Sequence, residues 1–269
     1  MKKHLASQPI GVFDSGIGGL TVANALVKYF PQEEIVYFGD IAHLPYGDKS
    51  ADAIRYYCIR IVKFLLEKNC KMIVIACNSA ASAASEMLLD FFQGEVLFVN
   101  VVDPLVEAVV EKKLNKVGII ATKATIRSDV YRTKLLQQNP ALEVQSLATP
   151  LLVPMIEEGY LKDNISDAII ANYLSNERFD NIDALLLACT HYPLIKENIN
   201  RFFKNRIQVL DSTDVVTQQV EKQLAKHQLL NDKKRNPHQF FVSDYTTSFE
   251  ETTQLFYKEK IHLEYSNIW

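Results

Sequence analysis

Short apolar runs alternate with longer amphipathic segments along most of the chain. Runs rich in Val, Ile, Leu and Phe that end in small or polar residues predict β-strands, and the segments between them have helical spacing. Strands that are apolar throughout and separated by helices are typical of parallel sheets whose two faces are covered. The pattern therefore predicts an α/β fold, with strands at residues 10–13, 35–38, 72–76, 96–102, 117–121, 144–148, 184–188, 207–210 and 239–242.

Distinctive residues that follow these runs recur in the second half of the chain. Because ligands of open α/β sheets bind at the carboxyl ends of strands, two related halves that face each other would enclose one site. We therefore predict two pseudosymmetric parallel-sheet domains with the active site in the cleft between them: residues 1–98 plus 210–269, which contribute Cys77, and residues 99–209, which contribute Cys189. Three pairs, each about 110 residues apart, show the repeat: Ser15 with Thr122, Cys77 with Cys189 and Asp103 with Asp211.

The composition excludes several classes of protein. With 269 residues, 48% of them apolar and 23% charged, the chain matches an ordinary globular protein with a large core. Lys and Arg number 29 against 32 Asp and Glu, a net charge of −3 with both signs scattered, so a nucleic-acid partner is not expected. No apolar run reaches the ~18–20 residues that span a bilayer and no signal sequence opens the chain, which favours a cytoplasmic protein without membrane contact. A homodimer is left open.

The four cysteines form no C-x-x-C pair, which argues against structural zinc or a disulfide framework. Cys77 directly follows a predicted strand and precedes small residues suited to begin a helix. A thiol at a helix N-terminus is expected to have a lowered pKa and to be reactive. Taken alone, an inert buried cysteine is the commoner alternative.

Cys189 follows another predicted strand and is followed by Thr190 and His191. Two equivalent thiols on facing halves can act on opposite faces of one substrate: one removes a proton, the other returns one, and a stereocentre is inverted without a metal. Two rival interpretations stay open. Cys189 and His191 can form the nucleophilic pair of a thiol hydrolase, which gives Cys77 no role. Two α/β halves around a cleft also describe a non-catalytic amino-acid-binding clamshell.

Two polar loops are candidates for substrate contact. The glycine-rich run at residues 14–19 follows the first predicted strand, but it lacks the spacing of a dinucleotide or Walker loop, and Asp14 would repel phosphate. A carboxylate there suits the ammonium group of a substrate, whereas the simpler alternative is that Asp14 or Ser15 caps the following helix. A later loop around Tyr46 either covers a pocket or forms a surface turn.

Six segments resemble, in order, the motifs of the glutamate racemase family: FDSGIGGLTV, LPYGDKS, VIACNSA, ATKATIRS, VPMIEEG and LLACTHYPL. They extend over almost the whole chain. The DSGxGG and CTHYP forms resemble the glutamate branch rather than the aspartate branch of the wider racemase superfamily. In one place the chain departs from the family, because CNSA stands where CNTA is usual, and serine keeps the hydroxyl of threonine.

The resemblance implies two pseudosymmetric α/β domains around the substrate and conversion of L-glutamate to D-glutamate, which supplies peptidoglycan synthesis for the cell wall. It implies that no pyridoxal phosphate, other cofactor or metal is required, and it makes Cys77 and Cys189 the acid/base thiols. A racemase of another acidic amino acid such as aspartate is the alternative. The substrate-binding residues it implies are Asp14, Ser15, Tyr46, Gly47, Asn78, Ser79, Thr190 and His191, with Pro45, Thr122, Thr125 and Glu157 as further pocket positions.

Overall fold

In the computed structural model, which describes residues 4–233 and 235–269, the strands form two parallel sheets. One sheet has six strands in the order β10-β9-β2-β1-β3-β4, and the other has four in the order β6-β5-β7-β8. The predicted α/β class is confirmed. The strands are β1 (Ile10–Asp14), β2 (Ile35–Gly39), β3 (Met72–Ile75), β4 (Leu97–Asn100), β5 (Lys116–Ala121), β6 (Glu143–Ala148), β7 (Ala184–Ala188), β8 (Gln208–Asp211), β9 (Gln239–Val242) and β10 (Glu264–Tyr265).

Helices connect most of these strands. In α2, Ser50 accepts a hydrogen bond from the Ala53 N–H at the N-terminus, and Ile54, Cys58 and Ile61 recur on the buried face, so the sequence specifies both its start and its orientation. Among the described residues, no helix is both long and apolar enough to cross a lipid bilayer. The helices are α1 (Leu20–Tyr29), α2 (Ala51–Glu67), α3 (Asn78–Phe91), α4 (Val102–Glu111), α5 (Lys123–Ser128), α6 (Val130–Gln138), α7 (Leu152–Glu157), α8 (Asn164–Leu174), α9 (Lys196–Phe202), α10 (Thr213–Lys226) and α11 (Thr247–Phe256).

The two sheets share a common arrangement of four strands. The order β2-β1-β3-β4 in one sheet matches β6-β5-β7-β8 in the other, so β1 corresponds to β5 and β3 to β7. Cys77 follows β3 and Cys189 follows β7, in agreement with the repeat found in the sequence. In each half the chain passes from the first strand, β1 or β5, to the strand on one side of it, β2 or β6, and then to the strand on its other side, β3 or β7. This reversal makes a topological switch point beside the first strand. Ligands of open α/β sheets bind at such points.

The predicted domain boundaries fall inside two strands. The prediction divided the chain between residues 98 and 99 and between residues 209 and 210, whereas β4 pairs with β3 and β8 pairs with β7. The chain therefore changes sheets a few residues later, after Asn100 and after Asp211. β9 pairs with β2, so the final part of the chain returns to the first half.

The end of β4 differs from the apolar run that predicted it. The run extends over residues 96–102, but the strand ends at Asn100, whose Oδ1 accepts hydrogen bonds from the N–H groups of Val102 and Asp103 at 2.8 and 2.9 Å. Asn100 thus supplies an acceptor for the first turn of α4, and Val102 enters the helix despite its β-branched side chain. β10 has no counterpart among the predicted strands, because its two residues are exposed and lack an apolar run.

A buried ion pair fastens the amino ends of the strands in the larger sheet. Lys71 has no exposed side-chain surface, and its Nζ donates to Glu33 Oε2 at 2.6 Å and to the Leu229 carbonyl at 2.8 Å. It also donates to the carbonyl of Ala6. One ammonium group therefore joins the segment before β1, the turn before β2 and the chain after α10. It lies at the amino end of the strands, opposite the carboxyl end that Cys77 follows.

We expect Lys71→Met to lower the free energy of unfolding by about 3–5 kcal/mol, because it leaves the Glu33 carboxylate buried without its cation. Urea unfolding followed by circular dichroism measures the loss. The matched control is Lys116→Met, which breaks the partly exposed pair between Lys116 and Glu143 and should cost far less, because exposed ion pairs contribute little to stability. Equal losses in the two variants would contradict a structural role for the buried pair.

Candidate active site

A cavity of about 270 Å³ lies where the carboxyl ends of strands from both halves meet. A larger groove, of about 880 Å³, runs along α3, α4 and α6, but no cysteine or histidine lines it. The smaller cavity is the candidate active site because it holds both strand-end thiols. Its lining residues are Ser15, Leu44, Pro45, Tyr46, Gly47, Asp48, Cys77, Asn78 and Ser79 from the first half and Thr122, Lys123, Thr149, Pro150, Val153, Pro154, Glu157, Cys189, Thr190 and His191 from the second.

Two of the predicted site residues, Asp14 and Thr125, do not line this cavity. Asp14 is fully buried, and its carboxylate accepts hydrogen bonds from the Gly16 N–H at 3.0 Å and the Thr190 hydroxyl at 3.4 Å. Thr125 accepts a hydrogen bond from the hydroxyl of Thr122 at 3.2 Å. Both side chains hydrogen-bond residues of the cavity wall, Asp14 with Thr190 and Thr125 with Thr122.

Cys77 occupies the position immediately before α3, as the sequence predicted. Its Sγ accepts a hydrogen bond from the Ala80 N–H at 3.4 Å, and its thiol donates to the Ser15 hydroxyl at 3.5 Å. Burial and the nearby carboxylate of Asp14 raise the pKa of Cys77 to about 12, although hydrogen bonding with Ser15 and Ala80 acts in the opposite direction. The expectation of a lowered pKa was therefore wrong, because desolvation outweighs the helix N-terminus. At neutral pH this residue is held as a thiol.

Cys189 has a different electrostatic environment. Nδ1 of His191 lies 3.8 Å from Cys189 Sγ, and Nε2 of the same ring lies 2.8 Å from Glu157 Oε1. Burial lowers the pKa of His191, but the hydrogen bonds and charges of Cys189 and Glu157 outweigh it and raise the pKa to about 10. The imidazole is therefore protonated at neutral pH and can donate from both nitrogens. One thiol of the cavity lies near a carboxylate, and the other lies beside an imidazolium.

The glycine-rich run allows the two halves to approach closely. A Cβ atom on Gly18 would lie 2.3 Å from the His191 ring and 2.6 Å from the Thr190 hydroxyl, so only glycine fits there. Thr21, in α1, donates to the Thr190 carbonyl at 3.0 Å across the same contact. The run therefore serves as a packing surface for the Cys189 loop, which is a different use from the phosphate cradle that it superficially resembles.

The loop that contains Tyr46 is anchored by a buried carboxylate. Asp40 is fully buried and accepts hydrogen bonds from the Tyr46 hydroxyl at 2.6 Å and the Ser243 hydroxyl at 2.7 Å. Nδ1 of His43 lies 2.9 Å from the same carboxylate. Because its hydroxyl is engaged by Asp40, Tyr46 meets the cavity through its ring and backbone. Sequence reasoning missed Asp40, whose role depends on contacts with the distant Ser243.

Several residues of the cavity wall were also missed. Thr149 directly follows β6, and its hydroxyl lies 2.7 Å from that of Tyr192. The strand-end rule that singled out the two thiols would have found it. Lys123 and Asp48 form an exposed ion pair of 3.1 Å between the two halves.

Within residues 4–233 and 235–269, no group of three or more His, Cys, Asp or Glu side chains is placed to hold a metal ion.

Known proteins resemble this chain over nearly its whole length. The family described as Asp/Glu/Hydantoin racemase matches residues 18–220. A glutamate racemase from Neisseria meningitidis is 41% identical over 244 residues, which cover 90% of each chain. The structure of Francisella tularensis glutamate racemase with D-glutamate has a TM-score of 0.93 at 37% identity and covers 98% of this chain and 99% of that one. The Thermus thermophilus glutamate racemase with beta-chloro-D-alanine has a TM-score of 0.88 at 34% identity, covering 97% and 98%. The chain belongs to the Asp/Glu/Hydantoin racemase family.

Proposed function

We propose that the protein interconverts L- and D-glutamate without a cofactor, and that the D-glutamate supplies peptidoglycan synthesis. The observation that carries the proposal is the presence of two thiols, Cys77 and Cys189, one from each half, on the wall of a single cavity. The similar Francisella tularensis enzyme, which was solved with D-glutamate, supports the choice of substrate.

Racemisation requires removal of the Cα proton from one face and its replacement from the other. One thiolate takes the proton, and the thiol on the opposite wall donates its own, so the product has the opposite configuration. The two residues then have exchanged protonation states and are ready for the reverse direction. The close fit of the cavity holds Cα in line between them, which is where much of the rate acceleration arises.

The Cα proton is weakly acidic, and negative charge spreads onto the α-carboxylate as the proton leaves. Asn78 and Ser79 stand at the N-terminus of α3, where free backbone N–H groups and the positive end of the helix dipole favour an anion. Thr190 lines the opposite wall. Donors that are already in place stabilise such charge without reorganisation.

The surroundings of the thiols match their tasks. Burial raises the pKa of Cys77 and the charge of Asp14 raises it further, which favours the protonated, proton-donating form. The His191 imidazolium can return a proton to Cys189 Sγ, 3.8 Å away, while Glu157 keeps the ring oriented. Asp14 is thus a positioning and tuning residue in this proposal, since it does not line the cavity.

The direct test is circular dichroism of L-glutamate incubated with the purified protein after exhaustive dialysis and chelation. We expect the signal to decay to that of an equal mixture of enantiomers. Cys77→Ser and Cys189→Ser should each lower kcat by at least about 100-fold, because each removes one proton-transfer group. Cys70→Ala changes a buried thiol outside the cavity and should racemise like the wild type.

Each serine variant should still perform a single proton abstraction with the thiol that remains. Elimination from a glutamate analogue that carries a leaving group at Cβ reports this step, and the two variants should prefer opposite enantiomers. Racemisation at the wild-type rate by either variant, or complete dependence of the wild type on pyridoxal phosphate or a metal, would refute the two-thiol mechanism.

The pH profile tests the role of the His191 imidazolium. Glu157→Gln removes a carboxylate that raises the pKa of His191, so the imidazolium loses its proton at lower pH. The alkaline limb of the kcat profile, which we expect near the pKa of about 10 in the wild type, should therefore move to lower pH. Glu158→Gln alters the exposed neighbouring carboxylate and is the control. An unchanged alkaline limb in Glu157→Gln would show that His191 takes no part in the proton transfer.

We expect kcat/KM for glutamate to exceed that for aspartate by at least ~100-fold. Both carboxylates and the ammonium group must be held at a set distance from Cys77 and Cys189, so a side chain one methylene shorter either leaves a buried donor unpaired or draws Cα out of line. Parallel assays of the two amino acids decide the matter. Comparable values would identify a racemase of broader or different acidic specificity.

A further inference from the structure

Asn78 has a side-chain amide that is only half satisfied. The residue lines the cavity and is 2% exposed, and its Oδ1 accepts a hydrogen bond of 2.6 Å from the hydroxyl of Tyr131. Its Nδ2 is buried and has no hydrogen-bond partner within residues 4–233 and 235–269. A buried N–H donor without an acceptor is costly and rare in native structures, and here the residue lines a cavity in which a ligand can supply the acceptor.

Tyr131 determines which end of the amide is left free. An asparagine amide has nearly the same shape after a 180° rotation, which exchanges its oxygen and nitrogen. The Tyr131 hydroxyl makes a single hydrogen bond among the described residues, and it is the one to Asn78 Oδ1. Rotation of the amide would leave the phenolic proton without an acceptor. The hydrogen bond therefore favours the orientation in which Nδ2 is free.

The Tyr131 hydroxyl is well suited to act as a constant donor. Burial raises its pKa, and the charges of Asp103 and Cys189 raise it further, so it keeps its proton throughout the working pH range. The side chain is 3% exposed and is held in α6. Tyrosine has few rotatable bonds, and a packed ring holds the hydroxyl at a defined position.

We propose that Tyr131 is a positioning residue that presents Nδ2 of Asn78 to the α-carboxylate of the substrate. The proposal deepens the glutamate racemisation proposed above and rests on it. Asn78 follows Cys77 directly, so a carboxylate within its reach is the one attached to the carbon whose proton is transferred. An N–H donor at that place stabilises the charge that grows as the proton leaves.

The hydrogen bond also links this donor to the closed arrangement of the two halves. Asn78 belongs to α3 of the first half, and Tyr131 belongs to α6 of the second. Beside it, the hydroxyls of Ser79 and Thr122 lie 2.8 Å apart across the same boundary. The orientation of the Asn78 amide therefore depends on a contact between the two halves.

The first test is Tyr131→Phe, which removes the hydroxyl and keeps the ring. We expect kcat/KM for L-glutamate to fall by about tenfold to a hundredfold, mostly through kcat, because the charge on the carboxylate is greatest in the transition state. The thermal midpoint should change little. Tyr160→Phe removes an exposed hydroxyl from the same half and should leave kcat/KM unchanged.

A double-mutant cycle shows whether Tyr131 acts through Asn78. In the background of Asn78→Ala, the further change Tyr131→Phe should have almost no effect on kcat/KM, because the amide that Tyr131 orients is absent. If the two losses multiply, Tyr131 acts independently of Asn78 and the proposal is overturned.

Asn78→Asp tests the direction of the amide without altering Tyr131. Aspartate still accepts a hydrogen bond from Tyr131, but it offers the substrate carboxylate an acceptor of like charge, so its kcat/KM should fall below that of Asn78→Ala. Asn78→Asp activity equal to that of the wild type would overturn the proposal. A wild-type protein that fails to racemise glutamate would refute the proposed function itself, whereas an active wild type with an equally active Tyr131→Phe variant would refute only this inference.

Discussion

The candidate site depends on the carboxyl ends of two parallel sheets meeting across one small cavity. β1 lies beside β3 in one half, and β5 lies beside β7 in the other. Each pair ends at the topological switch point of its sheet, where ligands of open α/β sheets bind. The residues that follow these strands are released from the ladder of backbone hydrogen bonds and can turn their side chains towards the opposite half. Both thiols, with the polar residues that follow them, reach the cavity wall for this reason.

The two thiols of that cavity have different electrostatic partners. Around Cys77, desolvation and a nearby carboxylate raise the pKa to about 12, so the protonated form is favoured. Around Cys189, a histidine whose pKa is raised to about 10 supplies a positive charge and a proton. A pseudosymmetric fold thus provides two equivalent positions, and the local partners make them electrostatically different. Such a difference suits a reaction in which one group accepts a proton while the other donates one.

Contacts between the halves and within the first half determine the shape of the cavity wall. Gly18 allows the His191 ring to approach to a distance that any side chain would forbid. Tyr131 reaches from α6 to the amide of Asn78, and Asp40 draws the hydroxyl of Tyr46 away from the cavity. Apart from His191, none of these groups transfers a proton in the proposed mechanism. Together they set which donors a bound carboxylate would meet.

The sequence by itself determined the α/β class, the nine longer strands, the internal repeat and the two strand-end cysteines, because these features depend on local periodicity and on the order of residues along the chain. Tertiary structure alone decided the direction of the Cys77 pKa shift, since desolvation depends on everything packed around the thiol. It also decided the burial of Asp14 behind the wall and the pairing of Asn78 with Tyr131, which is 53 residues away. Such contacts join distant parts of the chain, and no local pattern encodes the distance between them.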